Sequence, residues 1–487
     1  MGYQDLREFL KKLDNSGQLK RIKASVDANL EITEILSRLI VEGGPAVIFE
    51  DVKGHDMPIV ANLFGTVERV ALGLGTDVNG LDEIGNFLAD VARPKPPAGI
   101  VEALKALPHY KKLLSVNPKK VSAAACQEVI LKEKEVDLNK LPILKCWPND
   151  AGKLITWPLV ITKGPDNEPF NVGIYRMQVL SKNTTVMRWL SHRGGAMHWH
   201  KWQKTGKPMP VAVAIGNEPA MIIAAATPIP DDLSEFDFAG LLRKKSVELV
   251  KCVTSDLMVP ASSEIVLEGE IVPGDVAKEG PFADHTGFYN DEELHPVFHV
   301  KCITRRKDAY YLTTVTGRPP REDAILALAL NRMVLPLLKQ SFSEVVDFAL
   351  PMEAVSYRIA VVSIEKQYPG QAKQLIMGLY GYLKQFLGLK YIIVVDSDVD
   401  VQNWGDVIWS LATRVDPARD TFIVDEAPID TLDFAADRPG IGSKMGIDAT
   451  SKAPPEVNNK WPDKVRMDPD IIAQVDKRLN ELGLSDA

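Results

Sequence analysis

Long apolar runs are missing from this sequence. No stretch approaches the roughly 18–20 residues that a membrane-spanning helix needs. Cysteine is scarce, with 4 in 487 residues, and Cys126, Cys146, Cys252 and Cys302 stand alone. None has a partner at CxxC spacing, which argues against a zinc ribbon, a thioredoxin-type site and a disulfide framework. An excess of positive charge is also lacking. Lys and Arg number 57 against 65 Asp and Glu, a formal net charge of −8, and no basic stripe breaks that balance. A nucleic-acid partner is not expected. Internal repeats and low-complexity tracts are absent, so a solenoid is not expected either. The opening residues Met-Gly-Tyr-Gln-Asp-Leu-Arg-Glu lack the apolar core of a signal peptide. The expectation is a cytoplasmic protein, at most peripheral to a membrane.

What is present is an ordinary globular balance, 45% hydrophobic and 25% charged, over a length that suits two or three domains. Residues 3–13 place Leu6, Phe9, Leu10 and Leu13 on one helical face, and Asn15-Ser16-Gly17 stops the helix. A second helix over 30–42 ends at Gly43-Gly44, and a strand over 46–49 follows. Pro-Lys-Pro-Pro-Ala at 94–98 is a break, and 107–119 reads as a linker. From about 120 to 318 short strands dominate, at 159–162, 211–215, 221–225, 264–272, 297–304 and 310–316. Their Gly, Pro, Asn and Asp turns suggest a barrel or sandwich. Beyond Arg318-Pro319-Pro320, helices over 322–340, 370–387 and 402–413 alternate with strands over 357–362, 391–395 and 421–424. That alternation predicts a parallel α/β layer. A polar helix near 468–482 closes the chain.

Four constellations carry chemistry. Asn171-Val-Gly-Ile-Tyr-Arg176 offers a carbonyl oxygen and a planar fork able to grip a carboxylate. Met187-Arg188-Trp189-Leu190-Ser191-His192-Arg193-Gly194-Gly195 has two arginines and a glycine pair that can bring side-chain and backbone donors close to a phosphate. Asp231-Asp232-Leu-Ser234-Glu235 suits a helix start, a role compatible with metal ligation. Glu279-Gly-Pro-Phe-Ala-Asp284-His285-Thr-Gly287 sets two carboxylates across a Gly-Pro turn, where their titrations should be coupled. Each alone has a plain reading: a strand with two polar positions, a basic surface turn, a helix start, a polar hairpin loop. Asp396-Ser-Asp398-Val-Asp400 could hold a metal–diphosphate in a sugar-nucleotide transferase. It reads better as a strand-end turn capping the next helix. Gly73-Leu-Gly75 is too sparse for a dinucleotide site, and Gly440-Ile-Gly442-Ser-Lys444 lacks a phosphate-loop pattern and reads as a loop.

Together and in order, these motifs, with Val247-Glu-Leu-Val-Lys-Cys252, resemble the UbiD family of decarboxylases. The resemblance runs from Leu6 to about Ala453 and is closest to the ubiquinone-pathway branch, acting on 3-polyprenyl-4-hydroxybenzoate. It implies an α/β fold with a central β-barrel: an N-terminal α/β domain (1–115), a flavin-reductase-like split β-barrel (116–320), a C-terminal α/β domain (321–450) and a helical tail in an oligomer contact (451–487). It implies prenylated FMN with Mn2+, or Mg2+ in its place, and K+ as a further ion. Asn171 and Glu235 match the metal ligands, with His192 left open as a third. Two hard oxygen donors plus a phosphate suit Mn2+ or Mg2+ better than zinc. Ile174, Tyr175, Arg176, Arg188, Trp189, Leu190, Arg193 and Gly194 match cofactor-contacting positions. Arg176, Glu279 and Asp284 match the catalytic set. Arg176 is expected to orient the substrate, Glu279 to be ionised at rest, and Asp284 to be the proton donor, with its pKa raised once the substrate excludes water. Some branches carry Glu at the position of Asp284; the shorter acid fits the hydroxybenzoate branch. The implied partners are a lipophilic polyprenylated aromatic acid, a flavin prenyltransferase as cofactor source, and further copies of this chain in a dimer or hexamer. The implied place is the inner face of the cell membrane. Another aromatic or heteroaromatic acid, or a non-catalytic flavin-binding scaffold, are the alternatives.

Overall fold

The computed structural model describes residues 2–92, 116–166, 168–190, 193–227, 229, 233–355, 357–382, 388–479 and 481–482. The break at 94–98, most of the linker at 107–119, Asp231-Asp232 and His192 lie outside the described residues, as does the end of the helix expected over 370–387.

The N-terminal layer forms as its periodicity requires. Leu6–Asn15 is a helix whose N-cap, Asp5, accepts a hydrogen bond from the Glu8 N–H. Leu6, Phe9, Leu10 and Leu13 are buried against a four-stranded sheet. Its order is Leu19–Ile22, Ala46–Phe49, Ile59–Ala61 and Tyr311–Leu312. The last strand is a correction. Residues 310–316 were expected in the barrel. Instead Tyr311 and Leu312 pair parallel with Ile59 and Val60, and the rest of that segment is not a strand. An apolar run buried on both faces carries no signal of which sheet it joins.

The centre is a curled nine-stranded sheet. Its spine is a long hairpin, Ile265–Glu279 with Glu293–Arg305, paired from Ile265↔Arg305 to Glu279↔Glu293. Bulges interrupt it at Glu268/Gly269 and Ile271/Val276. The path of strands ends at Phe170–Ile174 on one side and Leu154–Ile155, paired with Met177–Val179, on the other. Residues 221–225, expected as a strand, lie in the helix Pro219–Ala226. Pro219 stands at its first position, and the Glu218 carboxylate accepts from the Ala220 N–H at 2.8 Å. This helix is buried nearly all round, so hydrophobic periodicity could not separate it from a strand.

The C-terminal sheet has the order Val345–Ala349, Ile359–Ile364, Tyr391–Asp396, Ile441–Ala449, Thr421–Pro428. Its three inner strands are parallel and both edges antiparallel. Ile441–Ala449 includes the segment expected as a loop. Its glycines disguise it: a Cβ on Gly446 would lie 2.6 Å from the Phe422 ring, so the strand needs glycine for close packing. Asp396 and Asp398 do mark a strand end, but Asn403, not either carboxylate, caps the next helix, Trp404–Arg414. The two aspartates take Arg414 at 2.6 and 3.1 Å, and Lys464 reaches Asp398 at 2.8 Å. The place a metal would need is filled by side-chain cations.

Helix Glu322–Ser341 joins the layers. The Glu322 carboxylate accepts from the Phe64 N–H of the first layer at 2.7 Å and from the Thr314 hydroxyl at 2.7 Å. Asn331 donates to the Leu350 carbonyl at 3.2 Å.

Candidate active site

The site begins where a strand fails. Phe170–Ile174 pairs with Leu159–Lys163 at one end of the central sheet, and Met177–Val179 pairs near the other. Tyr175 and Arg176 carry the chain across the gap. Arg176 thereby points at the loop that closes the long hairpin. That loop is held from outside: Gln178 accepts from the Gly280 N–H at 2.9 Å, and Asp150 from the Ala283 N–H at 3.0 Å. Gly280 sits at φ +94°, a conformation side chains disfavour.

The loop delivers both carboxylates to one guanidinium. Arg176 donates through Nε to Glu279 at 2.8 Å and through one terminal nitrogen to Glu279 at 3.1 Å and Asn290 at 2.8 Å. Its other terminal nitrogen reaches Asp284 Oδ2 at 2.5 Å. A guanidinium has five N–H donors; four are committed here. The fork expected to grip a substrate carboxylate grips Glu279 instead, and one N–H is left for anything else. Glu279 is fully buried.

Asp284 is likewise arginine-paired, with Arg188 3.3 Å from Oδ2. Its Oδ1 lies 2.8 Å from both the backbone nitrogen and Nδ1 of His285. Burial opposes ionising Asp284. The His285 hydrogen bond and the charges of Arg176, His285 and Arg188 outweigh it, holding this carboxyl well below its usual range. With these partners Asp284 is ionised, and the rise expected of its pKa needs an opposing influence that they do not supply.

The second half of the site is built on the same strand. Ser234 caps the helix Glu235–Arg243. Glu235 Oε2 accepts from the Val172 N–H at 2.8 Å, one residue along the strand from Asn171. Burial pushes the Glu235 carboxyl up to about 7. The described residues hold no group of three His, Cys, Asp or Glu able to bind a metal alone. The chemistry of Asn171 and Glu235 still fits a hard cation sharing a phosphate, since two oxygen donors are incomplete by themselves. A Cβ on Gly194, at the start of the helix Gly194–Thr205, would meet Asn171 Oδ1, so a larger residue here would displace the Asn171 side chain. That helix was not foreseen in the glycine pair. The Tyr175 hydroxyl accepts from the Gly195 N–H at 3.1 Å. Arg188 Nε, one Arg188 terminal nitrogen and Trp189 Nε1 are buried without a hydrogen-bond partner. The two Arg188 nitrogens still pair with carboxylates, Glu279 at 4.0 Å and Glu293 at 3.8 Å, whereas a buried donor such as Trp189 Nε1 is costly unless a ligand satisfies it, and it fits the edge of a flavin ring.

Ile174, Leu190 and Arg193 face a cleft of about 300 Å³ between the central and C-terminal sheets. Leu326, Leu330 and Val334, one stripe of helix Glu322–Ser341, form an opposite wall with Phe348. Asp284, His285, Asp323, Tyr357 and Asp430 gather at the cleft. Of the expected site residues, Ile174, Leu190, Arg193 and Asp284 line the cleft, and Arg176, bonded to Asp284, brings Glu279 into the same cluster. Asn290, Tyr357 and the helical stripe went unforeseen. Asn290 could have been suspected from its place in the same polar loop; nothing local marks Tyr357.

Three family descriptions match consecutive parts of the chain: the 3-octaprenyl-4-hydroxybenzoate carboxy-lyase N-terminal domain over residues 10–88, its Rift-related domain over 119–319, and its C-terminal domain over 324–449. Solved structures agree. The UbiD-class enzyme HmfF from Pelotomaculum thermopropionicum, in complex with FMN, is 31% identical, with 97% of this chain and 99% of that chain covered and a TM-score of 0.80. An evolved dimeric form of that enzyme in complex with prenylated FMN is 30% identical, covering 96% and 98%, with a TM-score of 0.77. The vanillic acid decarboxylase of Sedimentibacter hydroxybenzoicus, in its closed form, is 31% identical over 99% of both chains, with a TM-score of 0.85.

Proposed function

Because this chain belongs to the UbiD family of prenylated-FMN-dependent decarboxylases, we propose that it converts 3-polyprenyl-4-hydroxybenzoate to 2-polyprenylphenol and CO2 in ubiquinone biosynthesis. The observation that carries this reading is the cleft itself. An apolar wall of Leu326, Leu330, Val334 and Phe348 suits a prenylated ring, and it faces the Arg176–Glu279–Asp284 cluster. Asp284, on the shorter side chain, leaves room for a substituted ring.

When bound, prenylated FMN supplies the electron sink that a departing aromatic carboxylate otherwise lacks. Asn171 and Glu235, with His192 as the open third ligand, would hold Mn2+ against its phosphate. Ile174, Tyr175, Arg176, Arg188, Trp189, Leu190, Arg193 and Gly194 would face the cofactor. The remaining chemistry belongs to the protein. Arg176 fixes Glu279 and Asp284 in one plane of hydrogen bonds and keeps one N–H for the substrate carboxylate. Glu279 moves protons at the buried end. Asp284 gives the proton that replaces CO2. The apolar wall excludes water, which raises the Asp284 pKa toward the value a general acid needs. A lipophilic substrate places the working enzyme at the inner face of the cell membrane, although no described helix is long and apolar enough to cross it.

The test is CO2 release by holoenzyme made together with a flavin prenyltransferase. Turnover of 3-polyprenyl-4-hydroxybenzoate far above that of vanillic acid and 3,4-dihydroxybenzoic acid is expected. Preference for either small acid overturns the substrate assignment.

A further inference from the structure

Decarboxylation consumes a proton at every turnover: ArCO2⁻ + H⁺ gives ArH + CO2. Asp284 starts ionised and has to be charged before it can act. Its two oxygens differ. Oδ2 faces the Arg176 and Arg188 guanidiniums, which do not release protons near neutral pH. Oδ1 faces His285 Nδ1 at 2.8 Å. On the far side of the ring, His285 Nε2 lies 3.1 Å from the Tyr357 hydroxyl, with the two rings 5.4 Å apart. Tyr357 comes from the C-terminal unit, just before the strand Ile359–Ile364. His285 comes from the central hairpin loop. The hydrogen bond thus spans the two walls of the cleft.

We propose that His285 supplies the proton to Asp284 through Nδ1, and that Tyr357 positions the imidazole from the opposite wall. This rests on the reading of Asp284 as proton donor. In the step, the Nδ1–H bond of an imidazolium breaks and an O–H bond forms at Asp284 Oδ1. That O–H bond then breaks as the proton joins the electron pair left on the ring carbon by CO2. The neutral imidazole is reprotonated from water entering the emptied cleft, so the net proton comes from solvent. In the imidazolium, both ring N–H groups have acceptors: Asp284 and the Tyr357 oxygen.

The surroundings favour the charged ring. Burial disfavours it, but the Asp284 hydrogen bond and charge, with Asp323 on the cleft helix and Asp430 from the C-terminal unit, outweigh burial and raise the His285 pKa. Arg193 and Arg358 lie near Tyr357, whose own pKa is raised chiefly by burial, keeping its hydroxyl neutral. The imidazolium is full below its raised pKa and is lost as pH climbs through it, so turnover should fall on that alkaline limb.

The experiment compares holoenzyme with His285→Asn, Tyr357→Phe and Asp284→Asn at matched cofactor occupancy. It reads CO2 release across pH and the His285 ring titration by nitrogen-15 NMR. His285→Asn should lose about 100-fold in kcat, with KM little changed and the alkaline limb gone. Tyr357→Phe, which keeps the ring, should lose about fivefold and move both the limb and the NMR titration to lower pH. His285→Asn with the parent limb, whether slowed or not, overturns the proton supply. An unmoved titration in Tyr357→Phe overturns the positioning. If Asp284→Asn turns over at the parent rate, the donor reading itself has failed; if it is dead while the other two behave as the parent, only the relay has.

Discussion

Glu322→Gln offers a quantitative check on how the layers are joined. Glu322 is 3% exposed, and its oxygens accept from Phe64 of the first layer and from Thr314. Burial, the largest influence, lifts its carboxyl from an ordinary 4.5 to about 7, against the opposing hydrogen bonds from Phe64 and Thr314. Between those two values the folded state holds a proton that the unfolded state has released. Stability therefore falls as pH rises through that window, at about 1.4 kcal/mol per pH unit. The loss is about 3 kcal/mol by neutral pH and is constant above it. Glutamine keeps an oxygen for the Phe64 N–H, and Thr314 can turn its hydroxyl to accept from the amide. The variant should match the parent near pH 4.5 and exceed it by about 3 kcal/mol at pH 8. Urea unfolding at several pH values gives the difference curve, in which groups common to both proteins cancel. A flat difference from pH 5 to 8 would refute the assignment of a neutral, buried Glu322.

The remaining predictions concern the site and the tail. Glu235→Ala should lose metal and flavin together, as read by metal analysis and absorbance of the purified protein; full flavin retention without metal would sink the shared site. Arg176→Lys keeps the charge but cannot make the fork, leaving the fully buried Glu279 short of a partner. It should cost about 2–3 kcal/mol in unfolding free energy and lower CO2 release about 100-fold, and a parent-like rate would count against the cluster. Lys452 and Glu456 are tied to the C-terminal sheet, so a tail truncation belongs after residue 467. Helix Pro469–Arg478 buries nothing and exposes Ile471, Ile472 and Val475 at 44–49%. Its loss should lower the mass seen by light scattering; an unchanged mass argues against a subunit contact.

Helix Leu6–Asn15 was legible because its four buried residues repeat at helical spacing, and Glu235 at a helix start because Ser234 precedes it. Pro219–Ala226 was not, because a segment buried all round has no polar face to set the period. The members of the Arg176–Glu279–Asp284 cluster could be named from their motifs, yet how one guanidinium is shared between the two carboxylates could not. Whether Arg176 serves one acid or two depends on where the hairpin loop ends, and that is decided by Gln178 and Asp150, which belong to none of the motifs. Tyr357 lies 72 residues from His285 in sequence, and only the packing of two sheets brings it there.

The bridge of Tyr175 and Arg176 across the open sheet has a consequence for how such a site can vary. Asn171, where we propose the metal binds, and Arg176, in the carboxylate cluster, share one short stretch of backbone whose ends are pinned in different strand pairs. Inserting or deleting a single residue would turn one half of the site away from the other, since strand side chains alternate faces. The two halves can only be inherited together. Leu326, Leu330 and Val334 carry no such tie, and the shape of the accepted acid is free to drift along that helix while the chemistry beneath it stays in place.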